Sequence, residues 1–286
     1  MNIAEHLGYS ENSKLLIIHA DDAGLSHSHN RATIKCLQAG IVNSYSIMVP
    51  CPWYYEIALF AKSNPNFDCG IHLTLTCEWK NYRFGPVTPI SEVPSLIDKD
   101  GYFYKTRAEL KANAKPEHVA KELNAQIQKA LLFGLKPTHL DVHMYSVGAH
   151  QAFFEIYRAL GATYNLPLMI NEQLIEMTGL DAKKNIKHDD VVTQKVLIGN
   201  FDIFTNGTLY DYYSKAVEQV VPGLNVLLIH PAYNDSEMQG ITVNHPNFGG
   251  EWRQVDLDFF SDPKNMSQFE NEDIHLVTWK ELKVLL

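Results

Sequence analysis

Leu15-Leu16-Ile17-Ile18-His19-Ala20-Asp21-Asp22-Ala23-Gly24 is an apolar run of strand length that closes on two adjacent acids and a glycine. Short, partly β-branched runs bounded by turn residues read as strands buried on both faces. Tyr45-Ser46-Ile47-Met48-Val49 and Val226-Leu227-Leu228-Ile229 repeat the pattern. Helical patterns lie between them, at Asn30 to Leu37, Tyr54 to Lys62, Pro116 to Phe133, Gln151 to Tyr164 and Tyr210 to Val220, with Pro116 in a favourable first-turn position. This alternation predicts an α/β protein, either a (β/α) barrel or a doubly wound sheet, rather than an all-α or sandwich fold. No linker rich in Pro, Gly or Ser divides the chain and no internal repeat is visible, so residues 1–286 are expected to form one domain. Two irregular stretches, near 77–114 and 177–190, interrupt the rhythm. In a barrel, such insertions are expected to overhang the active-site face.

The 286 residues, 45% of them hydrophobic, suffice for a large core. A net charge of −9 argues against a nucleic-acid partner, which would call for a stripe of Lys and Arg. The start of the chain carries Glu5 and Glu11 in place of a secretory signal, and no apolar run reaches the roughly 18–20 residues of a membrane span. A cytoplasmic protein without a membrane partner is therefore expected, and the Asn206-Gly207-Thr208 sequon carries no weight. Cys36, Cys51, Cys69 and Cys77 show no CxxC spacing and are expected to be buried, reduced thiols. A homodimer is plausible on general grounds only.

Four strand ends offer acids or imidazoles. Asp21 and Asp22 close the first strand, where barrel enzymes present metal ligands and bases. Neighbours on an extended segment point opposite ways, so both serve one site only if the chain bends, and Gly24 permits a bend. Read alone, the pair is equally a helix cap or an Asx turn. His72 sits in the strand-like Cys69-Gly70-Ile71-His72-Leu73, where a lone histidine is more often a core residue. In Pro137-Thr138-His139-Leu140-Asp141-Val142-His143, Asp141 and His143 share a strand face, an arrangement in which an acid can orient a ligand histidine. His230-Pro231-Ala232 ends the last of the four.

Together with Asn30, Gly40-Ile41-Val42-Asn43-Ser44 and Gly70-Ile71-His72-Leu73, these segments resemble, in order, the YdjC-like carbohydrate deacetylases, a family that includes chitooligosaccharide deacetylases. The resemblance covers most of the chain. It implies a single distorted (β/α) TIM-like barrel, of polysaccharide-deacetylase type, holding one divalent metal ion, Mg2+ first and Zn2+ as the alternative. Matched residue by residue, it implies Asp22, His72 and His143 as metal ligands, Asp21 as base and His230 as acid. The chain departs from the family at Met144-Tyr145-Ser146-Val147, where Tyr145 and Val147 replace frequent histidines. It departs again at Leu168-Met169-Ile170-Asn171-Glu172, where several relatives carry an arginine. No named sugar is carried over.

The implied activity is metal-dependent removal of an acetyl group from a small-molecule N-acetylated mono- or oligosaccharide. A divalent ion with open positions can lower the pKa of a bound water and polarise the acetyl carbonyl, while Asp21 takes the water's proton and His230 protonates the departing amine. Asp141 is read equally as an orienting acceptor or as structural. Trp53, Trp79, Trp252, Tyr82, Tyr102, Tyr145 and Tyr233 are candidate sugar-stacking faces. Gly249-Gly250-Glu251-Trp252-Arg253 precedes a predicted helix that could bring Arg253 toward the site, with a surface salt bridge as the favoured expectation, and His27 and His29 are expected as solvated or local caps. Alternatives are an O-deacetylase, another small amide or phosphoester hydrolase, or a non-catalytic carbohydrate-binding protein.

Overall fold

The structure is a computed structural model that describes residues 2–269 and 274–286. Among the described residues seven strands form one sheet: β1 (Lys14–Ala23), β2 (Ser44–Ile47), β3 (Asp68–Leu73), β4 (Leu140–Val142), β5 (Lys195–Ile198), β6 (Gly223–Ile229) and β7 (Ile274–Leu276). Their order is β4-β3-β2-β1-β6-β5, all pairings are parallel, and β7 lies beside β1. β7 pairs with Lys14–Leu16 and β2 pairs with β1 from His19 onward, so the two share one edge of β1. Isolated parallel bridges, Leu140 to Leu168 and Ile170 to Val192, carry the pairing from β4 toward β5. The sheet is thereby curled into a distorted, open barrel.

Strand side chains alternate between faces, and this sorts the core into two layers. Leu15, Ile17, Val196, Val226, Leu228 and Met169 fill the inside as one cluster, joined by Ile3 and Trp279. Leu16, Ile18, Ile47 and Ile71 face outward, in the cluster that also holds Ile57, Leu123, Ile127 and Phe154 from the surrounding helices. The helix His27–Ala39 starts at Ser26, whose hydroxyl accepts from the His29 N–H, and stops at Gly40 with φ 89°. Pro116–Phe133 and Gln151–Tyr164 occur at the positions read from the sequence. The pattern from Tyr210 to Val220 instead divides into the helix Leu209–Ser214 and a 3-10 turn, Ala216–Gln219. All four cysteines are buried and free, and no described helix is long and apolar enough to cross a membrane.

The inner face is not uniformly apolar. Following the parity of Leu15 and Ile17, His19 and Asp21 point inward, together with Ser44 and Ser46 of β2, His72 of β3 and Asp141 of β4, all buried. Gly70 belongs to this face because a Cβ there would come within 2.3 Å of the His139 ring, a close approach that only glycine tolerates.

The helix Gly250–Phe260 is tied to the end of β6 through Asp256, which accepts from the Tyr213 hydroxyl at 2.5 Å and the His230 N–H at 2.8 Å. Burial pushes the Asp256 carboxyl up to about 7, against the hydrogen bonds that favour its charged form. A folded-state pKa above the unfolded value of roughly 4 means that this contribution to stability is complete below about pH 4 and is lost as pH rises to about 7. At about 1.4 kcal/mol per unit of displacement, the loss is on the order of 4 kcal/mol. Asp256→Asn removes the charge, and its amide can accept from the His230 N–H through oxygen while donating from nitrogen to the Tyr213 hydroxyl, so its denaturation midpoints between pH 4 and 8 should fall less than those of the parent. Parallel curves would exclude Asp256 as the titrating group.

Candidate active site

Polar side chains meet at the C-terminal ends of β1, β3, β4 and β6. Asp22 ends the regular part of β1 with φ 65°, and the β1–β2 register shifts between Ala20 and Ala23. This brings the Asp22 carboxylate to the side of the sheet that Asp21 already faces. The bend expected at Gly24 is thus centred on Asp22 itself, with Gly24 following at φ 98°.

Donor atoms of Asp22, His72 and His143 lie within 4.8 Å of one another, and all three residues are buried. Asp22 Oδ1 is 3.4 Å from His72 Nε2 and 3.1 Å from His143 Nδ1. Each imidazole presents its other nitrogen to an acid: His72 Nδ1 is 3.0 Å from Asp141 Oδ1, and His143 Nε2 is 2.9 Å from Glu78 Oε2. A proton held on the acid side leaves the opposite lone pair free toward Asp22, the usual arrangement for ligand histidines. Asp22 is steered in the same way, because its Oδ2 accepts from Arg253 Nη2 at 2.8 Å. One carboxylate oxygen and two imidazole nitrogens thus converge as a set that could hold a divalent cation.

Below this set is a second polar layer. His19 Nε2 is 3.0 Å from Asp141 Oδ2 and 3.2 Å from Asp21 Oδ1, and its Nδ1 meets Ser44 Oγ at 2.9 Å. Ser46 donates to Asp141 Oδ2 at 2.7 Å. Asp21 Oδ2 lies 3.6 Å from His230 Nε2.

Burial and neighbouring charge set the protonation of these groups. Burial alone would raise Asp22, but Arg253, His143 and His72 outweigh it and hold its carboxyl well below the usual range. Burial raises Asp21, against the attraction of His72 and His19. His19 would be lowered by burial, yet hydrogen bonds to Asp141 and Asp21 bring it up to about 9. Burial, aided by Arg253, His72 and His143, pushes His230 down to about 3 despite the opposing pull of Asp22.

Several expectations need correction. Arg253 is not in a surface salt bridge: it is 2% exposed, paired with Asp22, and donates from Nε to the Phe248 carbonyl at 2.8 Å. His29 is not a solvated cap. It is fully buried, with Nδ1 3.2 Å from Arg253 Nη1 and Nε2 2.8 Å from the Asp21 carbonyl. Because Nδ1 must accept from the guanidinium, Nε2 donates to Asp21, and burial with Arg253 nearby keeps His29 neutral, at about 3. Asp141 orients His72 and His19 rather than His143. Trp252 is fully buried and offers no face to a sugar.

Of the aromatic candidates, Trp79 and Tyr145 line the cavity over the site. Trp79 stacks on His143 with centroids 5.8 Å apart. The 77–114 insertion does overhang the site, through Glu78, Trp79 and Arg107, whereas the 177–190 stretch contributes only Met177. Two site residues had no assigned role in the sequence: Glu78, and His19, whose spacing of two from Asp21 puts both on one strand face.

Comparison with known proteins agrees with this geometry. A carbohydrate deacetylase of Geobacillus stearothermophilus is 26% identical over 266 residues, covering 93% of this chain and 96% of that protein. One from Thermus thermophilus is 29% identical over 290 residues, covering 100% of each. A solved Enterococcus faecalis structure shares the fold, with TM-score 0.76 at 23% identity over 94% of this chain and 99% of that one. Fold, cluster and relatives together define a metal-assisted hydrolase of the deacetylase class. The YdjC-like protein family matches residues 15–271, and the chain belongs to it.

If Glu78 fixes the tautomer of His143, Glu78→Ala should weaken divalent-metal binding by about 10- to 100-fold, the usual effect of removing such an acceptor. Metal titration by calorimetry, with circular dichroism to verify folding, measures this. Unchanged affinity would show that Glu78 does not support the cluster.

Proposed function

We propose that the protein removes the acetyl group from an N-acetylated mono- or oligosaccharide, with Asp22, His72 and His143 as metal ligands, Asp21 as base and His230 as the group that protonates the leaving amine. The observation that carries this reading is the convergence of one carboxylate and two imidazoles within 4.8 Å at strand ends, beside a second carboxylate that is not needed to complete the set. Binding alone gives no reason to keep that second acid. The reading assigns residues 1–286 to a single deacetylase domain. Magnesium is the leading ion, as the family resemblance implies; two imidazole donors favour zinc as the second choice.

The bound ion would supply Lewis acidity for the attacking water and the acetyl carbonyl. Asp21 receives the proton of that water, and its raised pKa moves it toward the range where a base works best at neutral pH. His19 holds Oδ1 of Asp21, which leaves Oδ2 directed toward His230. A neutral His230 has a lone pair to accept a proton from Asp21 and can pass it to the sugar nitrogen, which departs as an amine. Arg253 keeps Asp22 ionised and single-faced toward the cluster.

The test is acetate release from a panel of N-acetylated sugars by metal-loaded protein. Asp21→Asn should keep the ion and slow release by about 10²- to 10⁴-fold, the usual contribution of a general base. His72→Ala should lose bound metal and activity together. If Asp21→Asn also loses the metal, the two aspartates have exchanged roles; if no acetylated sugar is cleaved under any metal, the reading fails.

A further inference from the structure

The cavity over the site, about 540 Å³, is within the range of small-molecule sites. It is divided by chemistry. The arc carried by β1, β3 and β4 presents Asp21, Asp22, His72, Asp141 and His143. The other arc, from the Leu168 bridge through β5 to β6, presents Met169, Ile198 and Leu228, with Asn200 and His230 just past the ends of β5 and β6. The three apolar residues are the top layer of the barrel's inner core, so their presence alone follows from folding. The rim above them does not. Met177 and Phe201 also line the cavity and are 55% and 41% exposed, two large apolar side chains held in water on this side of the opening, whereas Met144 follows His143 and meets Thr76 over the polar arc. Core packing gives no reason for Met177 and Phe201.

Sugar hydroxyls find few partners on an aliphatic wall, and among these apolar side chains only Phe201 offers the aromatic face on which a sugar ring stacks. Methionine suits irregular apolar ligands, because its unbranched, polarisable chain repacks around them. We propose that this arc is a second subsite that binds an apolar substituent of the amide substrate, an alkyl or aryl group attached to the acetylated sugar as an aglycone or carried as a longer N-acyl chain. The inference rests on the deacetylase reading for its polar half. The substrate class then becomes an amphiphilic amino-sugar derivative, with its amide at the polar arc and its apolar group reaching from Met169 to the rim.

The experiment compares N-acetylglucosamine, its octyl glycoside below the micellar concentration, and N-octanoylglucosamine. Binding is measured by calorimetry at several temperatures and turnover by release of the acid. At least one octyl compound should bind tenfold or more tightly than the free sugar, with a negative heat-capacity change, the signature of apolar burial. In turnover the gain should appear as a lower KM at similar kcat, since the contact is the same in ground and transition states. Which compound gains identifies the end of the substrate that enters the arc. In a Met177→Ser/Phe201→Ser variant, both exposed positions, the affinity ratio of octyl to free sugar should collapse several-fold while the melting temperature holds. Equal affinity for all three compounds, or an unchanged ratio in the variant, would overturn the subsite. Absence of turnover with all three compounds would instead count against the deacetylase reading, and the calorimetric comparison would still decide the subsite.

Discussion

At Asp22 the backbone of β1 turns left-handed, and the arrangement of the site depends on that turn. Strand alternation puts positions 15, 17, 19 and 21 inside the barrel and would send a carboxylate at 22 out among the helices. The αL conformation disfavours an L-residue by roughly 1–2 kcal/mol, although aspartate is among the residues that tolerate it. The surrounding hydrogen bonds hold it there: Leu25 N–H donates to the Asp22 carbonyl at 3.1 Å, Met48 N–H to Ala23 at 2.7 Å, and Gly24 N–H to the Asn30 side chain at 2.6 Å. Strain kept in place by its surroundings is common where a chain must aim a side chain against its own periodicity. Here it turns two consecutive acids toward the same side of the sheet.

Arg253 and His29 complete that device from outside the strand. The guanidinium takes one oxygen of Asp22, and the imidazole links the same guanidinium to the carbonyl of Asp21. Side chain and backbone of the acidic pair are thus held by groups on two different helices. An arginine this deeply buried is stable only with a carboxylate and further acceptors around it; without Asp22 it would be an uncompensated buried charge. The helix Gly250–Phe260 is therefore bound to the strand ends by electrostatics as well as by Trp252 and Phe259 in the core.

Much of the fold was legible in the sequence because its causes are local. Leu15 to Ile18, the runs at 45–49 and 226–229 and the helices between them obey periodicities that depend on near neighbours. The strand-end histidines were legible because an imidazole stands out in an apolar run. Asp22 was only half legible: the need for a bend could be inferred, but Gly24 drew attention away from the residue that makes it. Arg253 was misread because a lone arginine in a helix resembles a solvated one, and its partner lies 231 positions away. Glu78 sits in an irregular stretch where no period marks which side chain turns inward. Trp252 was misread for a related reason, since bulk suits a side chain to the core as well as to a ligand.

Charge balance connects these parts. Asp21, Asp141 and Glu78 stand around the cluster that contains Asp22, and the cations paired with these acids are Arg253, on Asp22, and a protonated His19, on Asp21 and Asp141. Four carboxylates against two cations leave two negative charges in a buried, weakly screened space. Two protonated imidazoles can balance them, and in the structure Asp141 and Glu78 raise His72 and His143 despite the opposing effect of burial. A single divalent cation balances them equally well and needs both imidazoles neutral, as ligands must be. The same acids that would protonate the histidines therefore create a potential that would attract a cation, and binding there would exchange protons for metal with little change in net charge. In either state the charge between Asp22, His72 and His143 would be balanced, by protons in one and by a cation in the other.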